Sequence, residues 1–279
     1  MTGAARRIWG MLYRHLALYR RSWPRLLELA YWPTLQLCIW GFTARFIATR
    51  LGSHPAGPAL LTHAGSAAML AAGTLLGGVL LWEVALRGQT GVALSFLEEV
   101  WSRNLGHVFV SPLRPAELVA ALLGISLIRV LIGVLPAVAL AYFLYAFNLF
   151  ALGPILVLFF ANLLVMGWWV SLGVVSLILR HGAGAEALAW SVLFGLTPFS
   201  AVFYPVAVLP AAVRPIALAL PSSHVFEGMR AAILHGSIVW SQMGWAVALN
   251  LLWGAASCAL FARQFRIARE RGALLSIGE

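Results

Sequence analysis

From Val130 to Leu179 the chain runs for fifty residues without an Asp, Glu, Lys or Arg. A hydrocarbon core about 30 Å thick takes roughly 20 helical residues per crossing. The run is therefore too long for one crossing and long enough for two. Asn148 to Pro154 interrupts it near the middle with a polar, Gly-Pro stretch, which reads as a tight turn between two spans. Other uncharged runs are Leu51 to Trp82, Ala187 to Val213 and Ala231 to Ala262. Charged residues make up only 10% of the 279, against about 25% in a soluble domain, and mean hydropathy is +0.90. The expected fold is all-α: a polytopic membrane protein with six transmembrane helices, near 27–48, 64–86, 117–145, 154–179, 187–208 and 242–262. The whole chain reads as one transmembrane domain.

The charges that remain decide orientation. All nineteen cations are arginine and all nine acids glutamate. Arg6, Arg7, Arg14, Arg20, Arg21 and Arg25 precede the first span. Arg87, Arg103 and Arg114 lie between the second and third, Arg180 between the fourth and fifth, and Arg263, Arg266, Arg269 and Arg271 after the sixth. Against these stand Arg50, Arg214 and Arg230 on the other side. The positive-inside rule then puts both termini in the cytoplasm. This asymmetry accounts for the net charge of +10 without a nucleic-acid partner. Lacking lysine and aspartate, the chain has no Walker phosphate loop and no Ser-His-Asp triad, and its seven histidines make no metal-ligand pattern. No catalytic site, metal or cofactor is expected in this chain. Cys38 and Cys258 read as buried packing.

Three segments depart from plain spanning helix. Residues 6–23 pattern as an amphipathic interface helix, with Arg7, Arg14 and Arg21 along one face and Ile8, Leu12, Leu16, Tyr19 and Trp23 along the other. In the cytoplasmic connection Leu94, Leu97, Trp101, Leu105 and Val108 form one stripe of a short helix over 94–106. Glu98, Glu99, Ser102 and Arg103 occupy its other faces, and Ser111-Pro112-Leu113-Arg114-Pro115 closes it. Between the fifth and sixth spans, five of thirteen prolines (Pro198, Pro205, Pro210, Pro215, Pro221) fall within 24 residues of almost wholly apolar chain. Broken short helices dipping back into the outer leaflet over 209–240 satisfy both facts. Ser222-Ser223 would cap a further helix, with Glu227 in its first turn.

Here the chain resembles the membrane subunit of an ABC transporter of the type-2 export class. Ser102-Arg103-Asn104-Leu105, followed by Val110-Ser111-Pro112-Leu113-Arg114-Pro115-Ala116-Glu117-Leu118, is similar to the family's element after the coupling helix. Phe203-Tyr204-Pro205, Leu209-Pro210, Pro221, His224 and Glu227-Gly228-Met229-Arg230 are similar to its stretch before the last span. Asn104, Gly106 and Leu220 depart from the common pattern. The resemblance implies a permease for a lipid-linked, polysaccharide or drug-like substrate, in a bacterial cytoplasmic membrane. It also implies a second permease subunit, identical or paralogous, and a separate cytoplasmic ATPase carrying ATP and Mg. Leu97, Glu98, Glu99, Trp101, Ser102, Arg103, Leu105, Ser111, Pro112 and Arg114 would then couple to that ATPase. Pro205, Pro210, Pro221, His224, Glu227 and Arg230 would form the external re-entrant motif.

Arg129 falls near mid-depth of the third span, where an unpaired arginine is costly. Two readings stand: it holds an anionic headgroup at a gate or translocation path, or it makes a structural pair. Glu83 is the nearest acid in the second span, but pairing requires the span limits to shift by a turn. Trp168 and Trp169 are further candidates for the path, with core packing as the alternative. An intramembrane lipid-modifying enzyme and an ATP-independent secondary transporter are the other functional classes open at this point.

Overall fold

Prolines decide where several helices begin. The computed structural model describes residues 3–52, 58–105 and 113–271. Helix α1 spans Gly3–Arg21, α2 Trp23–Gly52, α3 Pro58–Trp101, α4 Pro115–Tyr145, α5 Ile155–His181, α6 Leu188–Leu196, α7 Arg214–Leu218, α8 Pro221–His235 and α9 Trp240–Glu270. Pro115 and Pro221 each sit in the first turn, where the missing N–H has no intrahelical partner to lose. No strand occurs among the described residues.

Among the described residues four helices are long and apolar enough to cross a membrane: Leu70–Trp101, Pro115–Tyr145, Ile155–His181 and Trp240–Glu270. Helix α2 has the length, but Arg25, Glu28, Arg45 and Arg50 dilute its hydropathy. The segment expected as a fifth span over 187–208 is not one helix. α6 has nine residues, about 13 Å at 1.5 Å per residue, and gives way to a 3-10 turn at Thr197–Phe199. Pro198 has no N–H to continue the ladder. Helix α3 corrects a second boundary. It runs unbroken to Trp101, so the short helix expected over 94–106 is, as far as Trp101, the continuation of the second long helix.

α3 is the axis of the bundle. Almost every residue from Leu76 to Val100 is buried, because α2, α4, α5 and α8 surround it. Where α3 meets α5, a Cβ on Gly167 would lie 2.5 Å from the Ala85 carbonyl oxygen, so the two backbones touch there. α4 and α5 both pack against α3 and are joined by a turn in which Ala146 and Gly153 take positive φ. Asn148 Oδ1 accepts the Phe150 N–H at 3.0 Å inside that turn. α8 plugs one end of the bundle, with Val225, Phe226 and Met229 fully buried. Leu220 precedes its first residue, so Ser222 and Ser223 do not cap it. Ser223 donates its hydroxyl back to the Ala217 and Leu220 carbonyls at 2.6 and 2.8 Å. Glu227, seventh in the helix, lies past the first turn.

Candidate functional site

The final turns of α3 carry the polar residues of its connection to α4, and they divide into two groups. Leu97, Glu99 and Leu105 are buried. Trp101, Ser102, Arg103 and Arg114 are exposed. The Arg103 backbone turns left-handed, with φ 51°, and the side chain of Asn104 returns to Glu99 at 2.6 Å. The result is a short knob, Trp101-Ser102-Arg103, at the tip of the most deeply buried helix. Ser111 and Pro112, with Gly106, lie outside the described residues.

Helix α1 docks on this end of the bundle with Arg7 and Arg14 turned inward. Arg7 makes two hydrogen bonds to Glu117, at 2.6 and 2.8 Å, and this hydrogen bonding holds the pKa of the Arg7 guanidinium above its ordinary value. Arg14 donates to Glu99 at 2.8 Å. The face expected to meet lipid headgroups therefore includes two arginines that meet protein. The reason is non-local: α3 presents Glu98 and Glu99, and α4 presents Glu117, along the face on which α1 lies. His15, fully buried on the same face, has its two ring nitrogens 3.6 Å from Glu98 and Glu99 respectively, with no hydrogen-bond partner at either. Its alignment with Arg14, Glu98 and Glu99 escaped the periodicity reading, which gave no weight to a lone histidine between arginines.

Arg129 is paired, but not with Glu83. Its Nη2 donates to Glu98 at 3.2 Å and its Nη1 to the Gly91 carbonyl at 3.3 Å. The Tyr19 ring covers the guanidinium at 4.9 Å, a cation–π contact. Glu83 is buried and accepts from Arg87, one turn along α3, at 3.2 Å. The depth argument fails here because α3 does not stop near residue 86, and it carries Glu98 to the level of Arg129.

Two cavities follow each other along a cleft between α2, α3 and α6. The inner one, about 260 Å³, is lined by Arg25, Glu28, Arg87, Glu98 and Arg129, with Trp32, Trp101 and Trp190 on its walls. The second, about 370 Å³, is more apolar and is lined by Gln36, Trp40, Trp82, Glu83, Leu86 and Phe194, among others. Successive turns of each helix serve both: Trp32 then Gln36, Arg87 then Glu83, Trp190 then Phe194. The Glu83–Arg87 pair stands at the junction. Trp168 and Trp169 line neither cavity. Trp168 donates to Ser126 at 3.3 Å and Trp169 to Asn250 at 2.9 Å, so both join helices. Asn250 in turn donates to the Asn162 side chain and backbone at 3.0 Å, linking α9 to α5.

The proline-rich segment is held by charged side chains. Glu227 accepts the Val206 N–H at 2.8 Å and pairs with Arg230 at 3.1 Å. Arg230 donates to the Ala201 carbonyl at 2.9 Å, and Arg214 to the Ala207 and Leu209 carbonyls at 2.7 and 2.9 Å. These bonds satisfy carbonyls that a broken helix leaves free. His224 Nε2 donates to the Leu218 carbonyl at 3.0 Å, and Nδ1 faces the Gln242 side-chain amide at 2.7 Å. Pro205 and Pro210 flank the 3-10 turn Val206–Val208, and Pro221 opens α8.

A bundle of apolar helices with a polar, aromatic-walled cleft is the build of a multi-pass membrane transport component. The family model for the ABC-2 type transporter matches residues 6–234, and the chain belongs to that family. Compared with curated proteins, it gives no match.

Proposed function

We propose that this chain is the permease subunit of an ATP-driven exporter, passing an amphipathic substrate from the cytoplasm or inner leaflet through the α2–α3–α6 cleft. Membership of the ABC-2 family supports transport, and a chain without lysine and aspartate is in keeping with ATP hydrolysis by a partner. Six crossings fit this reading: α2, α3, α4, α5, a discontinuous fifth crossing over 188–208, and α9. Both termini are then cytoplasmic, and a second permease subunit meets α2 and α6, in keeping with the family resemblance.

The observation that carries the mechanism is the continuity of α3. A rigid helix with Trp101-Ser102-Arg103 exposed at its tip moves as one body from that tip to the cavity walls at Arg87 and Glu83. An ATPase that pushes on the tip therefore moves one wall of the cleft. α1 is fixed to α3 and α4 through Glu99 and Glu117, so the push is shared rather than lost in bending. Reconstitution with the co-purifying ATPase tests this reading. ATP-dependent movement of a fluorescent amphiphile supports it, and movement that proceeds equally without ATP contradicts it.

A further inference from the structure

We infer that the inner cavity is a binding site for a phosphate monoester headgroup carried by an amphiphile, an inference that rests on the permease reading above. Glu98 Oε1 accepts from Arg129 Nη2 at 3.2 Å and also from Arg25 Nη1 at 3.4 Å. Two guanidinium groups thus share one carboxylate oxygen. Arg129 Nε–H, on a side chain only 5% exposed, has no acceptor. A buried donor in that state is the exception in folded proteins and invites an acceptor from elsewhere. Three arginines line the cavity against two glutamates, because the partner of Arg87, Glu83, faces the other cavity.

The spare N–H groups of Arg25, Arg87 and Arg129 call for a compact group with several acceptor oxygens. Guanidinium matches phosphate in this way through its fork of donors. A volume of about 260 Å³ suits a headgroup better than a whole drug-sized molecule. The apolar cavity one turn further along the same helices receives the body of the molecule. The half-exposed indoles of Trp32, Trp101 and Trp190 stand at the charged end, where amphipathic rings sit well.

The test uses the full chain in maltoside micelles, which contain no phosphate, with native mass spectrometry counting retained molecules. Phosphatidic acid, diacylglycerol and a fatty acid of matched chain length are compared at equal concentration, with glycerol 3-phosphate as the soluble source of the same group. The site predicts one phosphatidic acid per chain, retained about tenfold better than the other three, a difference of about 1.4 kcal/mol. Arg129→Gln and Arg25→Gln each reduce that preference to less than about threefold. Arg25 is half-exposed, so its replacement keeps the test valid if Arg129→Gln fails to fold. Thr90→Trp, which fills the cavity and leaves every charge in place, abolishes selective retention. Equal retention of phosphatidic acid and diacylglycerol overturns the site, as does a preference unchanged in Arg25→Gln and Thr90→Trp. Retention of the fatty acid equal to that of phosphatidic acid overturns the phosphate assignment. Retention of glycerol 3-phosphate equal to that of phosphatidic acid overturns the amphiphile. None of these readings needs ATP or an ATPase, so a failed site leaves the permease reading standing, and the reverse also holds.

Discussion

Glu98, in the penultimate turn of α3, accepts a hydrogen bond from Arg129, in the middle of α4, at 3.2 Å. The pair joins the C-terminal end of one buried helix to the interior of the next. Removing the carboxylate leaves a buried guanidinium without its counter-charge, whereas removing the arginine leaves Glu98 with Arg25. Glu98→Gln is therefore expected to destabilise the chain by about 3 kcal/mol, and Arg129→Met by clearly less. Thermal unfolding in detergent measures both. Equal losses would contradict the assignment. Arg129→Met is also expected to lower transport while the subunits still assemble.

Helix α1 is tethered by Arg7 to Glu117 and by Arg14 to Glu99. The double variant Arg7→Ala, Arg14→Ala should raise amide hydrogen exchange across residues 3–21 at least about threefold, with α5 and α9 unchanged. Exchange that stays at the wild-type level would mean that apolar packing of Met11 and Tyr19 alone holds the helix.

Gly167 meets the backbone of α3 rather than a movable side chain. Gly167→Val cannot be absorbed by a rotamer change and is expected to cost about 1–3 kcal/mol or more. Gly254→Val, on α9 with open space around its Cα, is the matched control and should cost less than about 1 kcal/mol.

The apolar stretches of α3, α4, α5 and α9 were legible as membrane helices because each must be apolar along its length, a local property. The proline-rich segment announced its broken backbone for the same reason. What escaped was set by contacts between distant residues. Arg7 and Arg14 turn inward only because Glu99 and Glu117 arrive from other helices. Arg129 finds Glu98 instead of Glu83 because α3 passes the level at which a minimal span would end. Of the residues expected on a path, Arg129 and Glu83 line the cleft, and Trp168 and Trp169 instead donate to Ser126 and Asn250. A tryptophan on an apolar helix carries no sign of which neighbour its indole N–H will meet. Arg214, which the sequence marks only for topology, and Arg230, which it also marks as part of the external motif, serve as caps for free carbonyls.

α9 is mostly exposed along its middle, and Asn250 supplies much of its polar attachment to α5. Asn250→Leu leaves the Asn162 side-chain oxygen and the Trp169 indole N–H without their hydrogen-bond partner. A loss of about 1 kcal/mol is expected, measurable as earlier release of α9 in limited proteolysis.

In the proposed mechanism a separate ATPase drives this chain through the exposed end of α3. The most direct measurement is ATP turnover and subunit recovery when the tagged full chain is purified from its own membranes, wild type beside Trp101→Ala and Arg103→Glu. The account predicts an ATP-hydrolysing chain in the wild-type preparation, and a loss of about fivefold or more in its recovery or its substrate-stimulated turnover in each variant. Wild-type recovery and turnover in both variants would contradict the coupling role of α3, and a preparation with no ATP-hydrolysing partner would contradict the account itself.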